Sequence, residues 1–412
     1  MIAVFLYNIA IRCYVAGIRI FSIFNAKARL FLKGRVGLLK KIEESFRDDK
    51  REKIWVHCAS LGEFEQGRPI IEALKAKYPQ IAIVLTFFSP SGYEVRKDYK
   101  VADYVFYLPV DSAKNARFFL EKVNPKLCIF VKYELWYHYL SGLKHKSVPT
   151  FLVSAVFSAR HGFFKWYGGL QRSMLRCFTE ILVQDEHSAT LLADIGIKNV
   201  AISGDTRFDR VVAGAAEHVL LPIAEAFTNN YKVVVAGSTW KEDEEMLASV
   251  LCLLPEDWRL IVVPHEVDGS HIDAVAKLFA GESINWSEWK ENSRQRVLVV
   301  DKVGFLSQLY RFATVAFIGG GYGKAGVHNV LEAAVYGKPC FYGPVYHQFI
   351  EATELVANKG ATVVNNAEEF ANGIQQLEAQ DQYNNQAQIA RNYVLQKTGA
   401  TAKTLAAIKK YL

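Results

Sequence analysis

The sequence predicts an α/β protein: two doubly wound, Rossmann-like domains facing across a cleft, preceded by a membrane-anchoring helix. Three observations carry this expectation. From Lys53 onward short β-rich runs alternate with helical patterns, the signature of parallel sheets covered by helices. The alternation pauses around residues 221–230 and then restarts. The first 24 residues are strongly apolar and are followed by a basic stretch. At 412 residues the chain has room for two or three domains. The division expected is an anchor over 1–40, a first Rossmann-like domain over 41–215, and a second, nucleotide-binding Rossmann-like domain over 216–412 whose terminal helices pack back.

Composition narrows the classes. With 51% hydrophobic and 13% aromatic residues, extended disorder is excluded. The net charge of +7 is modest and concentrated in the first fifty residues, which suits an anionic membrane surface and not a nucleic-acid groove. No nucleic-acid partner is expected. Six scattered cysteines without a C-x-x-C pair read as reduced core thiols, neither disulfides nor metal ligands.

In the N-terminal segment, Asn8, Arg12 and Arg19 fall on nearly one face at 100° per residue, giving an amphipathic helix with a narrow polar stripe. Lys27, Arg29, Lys33, Arg35, Lys40 and Lys41 follow. A signal peptide would carry its charge at the very start. The segment is long enough to span a bilayer, but the stripe fits an in-plane anchor better. A buried core helix is the remaining reading. In either membrane arrangement the basic flank keeps the body on the cytoplasmic side.

Strands are expected at 54–58, 82–87, 104–109, 127–132, 150–155, 181–184 and 200–204. Ligands gather where such strands hand over to helices. The first hand-over is Ser60-Leu61-Gly62-Glu63: either a helix-capping box or a carboxylate able to take a proton from an attacking hydroxyl. Ser89-Pro90-Ser91-Gly92 opens another helix. Lys132 and Glu134 follow a buried run, as a salt bridge or as a site. Arg207, in Gly204 to Asp209, offers a fixed positive charge suited to phosphate or carboxylate.

In the second half, strands are expected at 232–236, 259–264, 296–300, 315–318, 339–342 and 361–364. Gly237-Ser238-Thr239 is expected to open a helix, with Thr239-x-x-Glu242 as its capping box. Pro264-His265 ends one strand, and Asp301-Lys302-Val303-Gly304 begins another helix. The richest stretch is 314–344. Its glycines (Gly319, Gly320, Gly321, Gly323, Gly326) are expected to let backbone N–H groups approach a ligand. A helix beginning near Asn329 adds a positive dipole end, and Glu332 is placed to accept from a sugar hydroxyl. The Gly-x-Gly-x-x-Gly at 321–326 lacks the acidic residue of a dinucleotide site, and no P-loop is present. Two doubly wound halves with polar edges describe a cleft enzyme of the GT-B type.

The residues go further than the pattern. The chain resembles the Kdo (3-deoxy-D-manno-octulosonic acid) transferases in His57 to Glu63, Tyr133 to Trp136, Ser154-Ala155 with Ser158 to Arg160, and Val183 to Glu186. The match continues in Gly204 to Asp209, Ser238-Thr239, Val262 to Pro264, Phe317 to Gly320, and His328-Asn329 with Leu331 to Ala334. The resemblance implies transfer of Kdo from CMP-Kdo to a lipid A precursor at the cytoplasmic face of the inner membrane, inverting, with no metal and no cofactor. It implies Glu63 as general base, with Glu134 and Arg207 stabilising the transition state. CMP is expected at Ser238, Thr239, Pro264, His265, Val303, Gly304, Phe305, Gly320, Gly321, Asn329, Val330, Leu331 and Glu332. The chain departs from the family pattern at Lys132, Tyr137-His138, Arg207, His265 and Val330. The rival readings are a sugar-nucleotide epimerase of the same fold, which needs no lipid acceptor, and a non-catalytic membrane-bound scaffold.

Overall fold

A computed structural model describes residues 2–279, 281–378 and 382–412; Met1 of the expected anchor lies outside them. The chain divides into two units, Met1–Asp209 with Thr398–Leu412, and Arg210–Lys397. The boundary expected at 215/216 falls inside the helix Thr206–Ala216, and the last helix, Ala400–Lys409, belongs to the first unit.

The first unit holds seven parallel strands: β1 Lys53–Cys58, β2 Ala82–Phe87, β3 Tyr104–Tyr107, β4 Leu127–Val131, β5 Thr150–Ala155, β6 Glu180–Val183 and β7 Val200–Ile202. Their order, β3-β2-β1-β4-β5-β6-β7, is that of a Rossmann sheet. The period of two explains why whole strands are apolar. Trp55, Val84, Cys128 and Phe130 pack into a core on one face, and Ile54, Val56, Ile83 and Ile129 into a core on the other. Each such side chain, fully buried, is worth roughly 1.5–3 kcal/mol of transfer free energy.

The second unit holds β8 Lys232–Thr239, β9 Trp258–Pro264, β10 Ser283–Asn285, β11 Val297–Val299, β12 Val315–Ile318, β13 Cys340–Tyr342 and β14 Ala361–Val363. The order is β10-β11-β9-β8-β12-β13-β14, again parallel and doubly wound. The edge strand β10 was not expected; it has three half-buried residues and no apolar run to announce it.

The helix Ile2–Phe21 is long and apolar enough to cross a membrane, and none of it is fully buried. It lies on the first unit by the half-buried Val4, Tyr7, Asn8, Ile11, Val15 and Ile18. Tyr7 donates to Asp111 Oδ2 at 2.6 Å, and Asn8 Oδ1 is 2.7 Å from His138 Nε2. Asn8 therefore faces the protein, while Arg12 and Arg19 face outward. Two further expectations are corrected. Arg35 does not serve a basic surface: its guanidinium sits 3.6 Å over the Phe31 ring and donates to the carbonyls of Phe31, Phe88 and Leu108. Of the cysteines only Cys58, Cys128 and Cys340 are buried; Cys13 and Cys252 are exposed.

Candidate active site

In the first sheet the chain order reverses between β1 and β4, so their carboxyl ends open the crevice where doubly wound sheets bind ligands. Glu63 and Glu134 follow those two strands. Ser60 is the N-cap of the helix Leu61–Lys77, yet its hydroxyl makes no bond to the helix backbone. It donates to Glu63 Oε2 in a short contact, so this hydroxyl orients the carboxylate. Gly67, one turn on, lets the helix close down; a Cβ there would lie 3.0 Å from Val131 Cγ2 and 3.2 Å from Cys58 Sγ.

After β4, Lys132 adopts a left-handed backbone (φ 65°), which breaks the strand sharply before Glu134. Among the described residues no ion pair joins Lys132 to Glu134. Instead Glu134 Oε2 accepts from Trp136 Nε1 at 3.1 Å and lies 3.8 Å from His57 Nε2. Burial pushes the Cys58 thiol well up, and the charges of Glu63, Glu134 and Glu65 push it further.

Arg207 is held by Asp205: its Nε and terminal nitrogen lie 2.8 and 2.7 Å from Oδ2, and its backbone N–H donates to Oδ1. Beside it, Thr206 donates to the Gln66 carbonyl at 2.6 Å and meets Ser154 Oγ at 3.2 Å. The helix start carrying Arg207 is thereby tied to the helix carrying Glu63. Asp209 accepts from the backbone of Gly399 and Thr401, fixing the last helix.

A cavity of about 450 Å³ adjoins Glu134, lined by Tyr7, Ile11, Tyr14, Phe88 and Trp136. Phe88 and Trp136 pack with ring centroids 4.4 Å apart. The lining is mostly apolar, with Ser89 and Glu134 as its polar members, and the N-terminal helix forms one wall. These aromatic residues were not among those expected; Phe88 and Trp136 each follow a strand end, which is the signal that could have found them.

The second sheet reverses between β8 and β12. Here β8 continues through Gly237-Ser238-Thr239, with Ser238 left-handed (φ 53°) and the register to β9 shifting between Gly237 and Thr239. The helix expected at 237–239 therefore starts at Lys241, with Trp240 as N-cap. Thr239 donates to Glu244, not to Glu242, at 2.9 Å. Asp243 Oδ2 accepts from the N–H of Trp240 (2.9 Å) and of Gly320 (2.7 Å). Burial pushes the Asp243 carboxyl up to about 6.

Of the five glycines expected to offer N–H groups, four direct them within the chain. The N–H of Gly319 goes to Gly237, that of Gly320 to Asp243, that of Gly323 to Gly320 and that of Gly326 to Gly323. A Cβ on Gly319 would lie 2.4 Å from the Ser238 carbonyl, and one on Gly321 would lie 2.5 Å from Gly343 N. These glycines let the chain's own backbones close on each other. The helix that follows is a single turn, Leu331–Ala334, so the expected dipole end is weak. The side chains of Val330 and Leu331 are buried. Asn329 accepts from Leu331 N and donates to Glu332 Oε1 at 3.0 Å.

Pro264 ends β9, and His265 bonds back to the Thr239 carbonyl. Trp240 and His328 lie side by side, ring centroids 6.2 Å apart and Trp240 Nε1 donating to His328 Nε2 at 2.8 Å, and the His265 ring stacks on both, at 4.6 and 4.5 Å. Burial, then the neighbouring His265, lowers the His328 imidazole. Val303 is exposed, Gly304 is left-handed (φ 95°), and Phe305 stacks on Trp286. Leu306, next in line, packs on Gly237, which brings 303–305 to the same edge as Ser238, Thr239, Pro264 and His265. The described residues contain no cluster of His, Cys, Asp and Glu able to hold a metal.

Residues 32–210 match the family model described as 3-deoxy-D-manno-octulosonic-acid transferase (kdotransferase). A 3-deoxy-D-manno-octulosonic acid transferase of Haemophilus influenzae is 27% identical over 87% of this chain and 87% of its own length. A bifunctional glycosyltransferase/methyltransferase of Fusobacterium nucleatum is 29% identical over 82% of this chain, which spans only 55% of that protein. Among solved structures, that of a putative UDP-N-acetylglucosamine 2-epimerase from Listeria monocytogenes superposes with a TM-score of 0.62 at 14% identity, covering 88% of this chain and 96% of its own. That likeness is one of fold.

Proposed function

We propose, from a chain similar to the Kdo transferases over most of its length, that this protein is a glycosyltransferase moving Kdo from CMP-Kdo to a hydroxyl of a lipid A precursor. The observation that supports this most is the pair Glu63 and Glu134 at the ends of the two strands flanking a topological switch point. Glu63, oriented by Ser60, takes the proton of the acceptor hydroxyl as its oxygen bonds to the anomeric carbon. The bond to the CMP phosphate breaks, and its electron pair leaves with the phosphate. Attack from the far side inverts the centre. Glu134 answers the positive charge that grows on the ring, and Arg207 the negative charge on phosphate or on the Kdo carboxylate. The edge carrying Ser238, Thr239, Pro264, His265 and 303–305 receives the cytidylate. A single-phosphate leaving group asks less of a divalent ion than a diphosphate does, so no metal is assigned.

The apolar cavity beside Glu134, walled by the N-terminal helix, suits a lipid acceptor, and the basic residues that follow this helix favour the cytoplasmic face of the inner membrane. An epimerase shares the fold but needs no such wall. Full-length protein incubated with CMP-Kdo and the lipid A precursor should give a Kdo-lipid and free CMP. Release of free sugar-nucleotide epimer, or no product, would overturn the reading.

A further inference from the structure

His57 is fully buried on β1, and its Nε2 is a buried nitrogen without a hydrogen-bond partner, 3.8 Å from Glu134 Oε2. A polar atom left in this state costs about 1–3 kcal/mol unless something uses it. The rest of the ring is closely held. Phe130 meets it edge-on at 5.4 Å and Trp55 lies 6.3 Å away, so the imidazole has little freedom to turn. Its Nδ1 is 2.9 Å from Thr86 Oγ1 and 3.2 Å from the Thr86 carbonyl. The hydroxyl already accepts from Trp55 Nε1 at 2.8 Å.

The direction of the chain follows from the proton inventory. An indole N–H can only donate, so Thr86 Oγ1 spends one lone pair on Trp55 and has its own hydrogen left to give. The contact that can take this hydrogen is His57 Nδ1 at 2.9 Å; the Thr86 carbonyl, 3.2 Å from the same nitrogen, can only accept, and this longer contact goes unused. An imidazole that accepts at Nδ1 carries its proton at Nε2, the nitrogen aimed at Glu134. The opposite tautomer, donating from Nδ1, would leave a bare Nε2 lone pair facing a carboxylate. We propose that His57 is a positioning residue: a donated chain from Trp55 through Thr86 to His57 presents an Nε2–H that holds the Glu134 carboxylate in its working orientation. The present gap closes to a hydrogen bond when Glu134 is drawn onto the reacting sugar. Trp136 donates to the same carboxylate oxygen at 3.1 Å. The catalytic role of Glu134 rests on the transferase reading; the hydrogen-bond chain does not.

Two readouts keep those apart. In 15N-labelled full-length protein, His57 is expected to be protonated at Nε2 and bare at Nδ1, with its Nε2–H signal shifted by Glu134→Gln. A ring protonated at Nδ1, or a signal indifferent to that substitution, overturns the proposal whatever the substrate. In the transfer assay His57→Gln, which keeps a donor near the Nε2 position, should stay within about threefold, whereas His57→Phe should lose roughly 10- to 100-fold in kcat with KM for CMP-Kdo unchanged. On a Glu134→Gln background His57→Phe should cost nothing more. Equal losses in the Gln and Phe variants, or full additivity with Glu134→Gln, overturn it. A wild-type protein without transfer activity refutes the transferase reading alone, and the NMR result then decides the role of His57.

Discussion

Asp243 Oδ2 receives the backbone N–H of Gly320 at 2.7 Å, while Oδ1 of the same carboxylate is buried with no partner. One bond thus ties the start of the helix Lys241–Leu253 to the glycine turn after β12. It also fixes where a proton would go. With Oδ2 occupied by two donors, protonation falls on Oδ1, where it relieves the cost of a buried charge.

This carboxyl makes stability depend on pH with an unusual sign. Its folded value of about 6 stands above the 3.8 of an unperturbed aspartate, so the folded state binds the extra proton between those limits. Stability contributed by Asp243 is therefore greatest below about pH 4, falls as pH rises to about 6, and is flat above. The gap corresponds to roughly 3 kcal/mol. Asp243→Asn keeps an oxygen at the Oδ2 position and removes the charge. Chemical denaturation at pH 4 and pH 7 should show the wild-type slope and a flattened one in the variant. An equal slope in both proteins would refute the assignment.

His328 works in the opposite direction. Its folded value is lowered, so the unfolded chain takes up the proton first, and stability is lost as pH falls through the usual histidine value near 6.5. Part of the preference for the neutral ring comes from Trp240, whose N–H occupies the Nε2 lone pair. Trp240→Phe keeps a stacking ring and removes that donor. The His328 titration midpoint, followed by NMR, should rise in this variant; an unchanged or lowered midpoint contradicts the account.

The sheets were legible because their strands are buried on both faces and therefore read as unbroken apolar runs; Leu127–Val131 could hardly be anything else. The missed strand, β10, has no such run. Glu63 and Glu134 could be named from their places after strands, since topology alone brings strand ends together. What the sequence could not convey is where hydrogen bonds terminate. Ser60 and Thr239 both begin S/T-x-x-E patterns, and in both the hydroxyl serves a carboxylate instead of the helix backbone. The glycines of 319–326 look like a ligand cradle in one dimension, and only Gly343 and Ser238, distant in sequence, reveal that they meet backbone. The left-handed serines at 154 and 238 sit at register shifts in β5 and β8, a feature with no local sequence signal.

For the chemical step, Glu63→Gln removes the base while keeping shape and the contact with Ser60. Loss of a general base typically costs 10²- to 10⁴-fold. Transfer should fall by that order with CMP affinity, read by calorimetry, retained, because Ser238, Thr239 and His265 belong to the other unit. Glu63→Ala should behave alike. Near-normal turnover in the Gln variant would refute Glu63 as base.

The N-terminal helix makes two separable contributions, and substitutions can divide them. Phe5 and Phe21 on its outward side, and Phe24 just beyond its end, are 65%, 67% and 86% exposed and touch no core, so they are free to enter a bilayer. Tyr7 faces the other way and supplies one of the donors that hold the buried Asp111, beside the N–H groups of His138 and Tyr139. Burial alone raises the Asp111 carboxyl, and those donors oppose it. Replacing the three phenylalanines with serine should release the protein from membranes in a flotation assay without changing its melting temperature. Tyr7→Phe should do the reverse: membrane attachment intact, and stability lower by about 1.5–3 kcal/mol, the worth of a hydrogen bond to a charged group. Deleting 2–24 should combine the two effects, since it removes the apolar face and the Tyr7 hydroxyl together. A deletion protein that still floats with membranes would locate the attachment elsewhere, with the exposed Lys27, Arg29, Lys33, Lys40 and Lys41 as the next residues to replace.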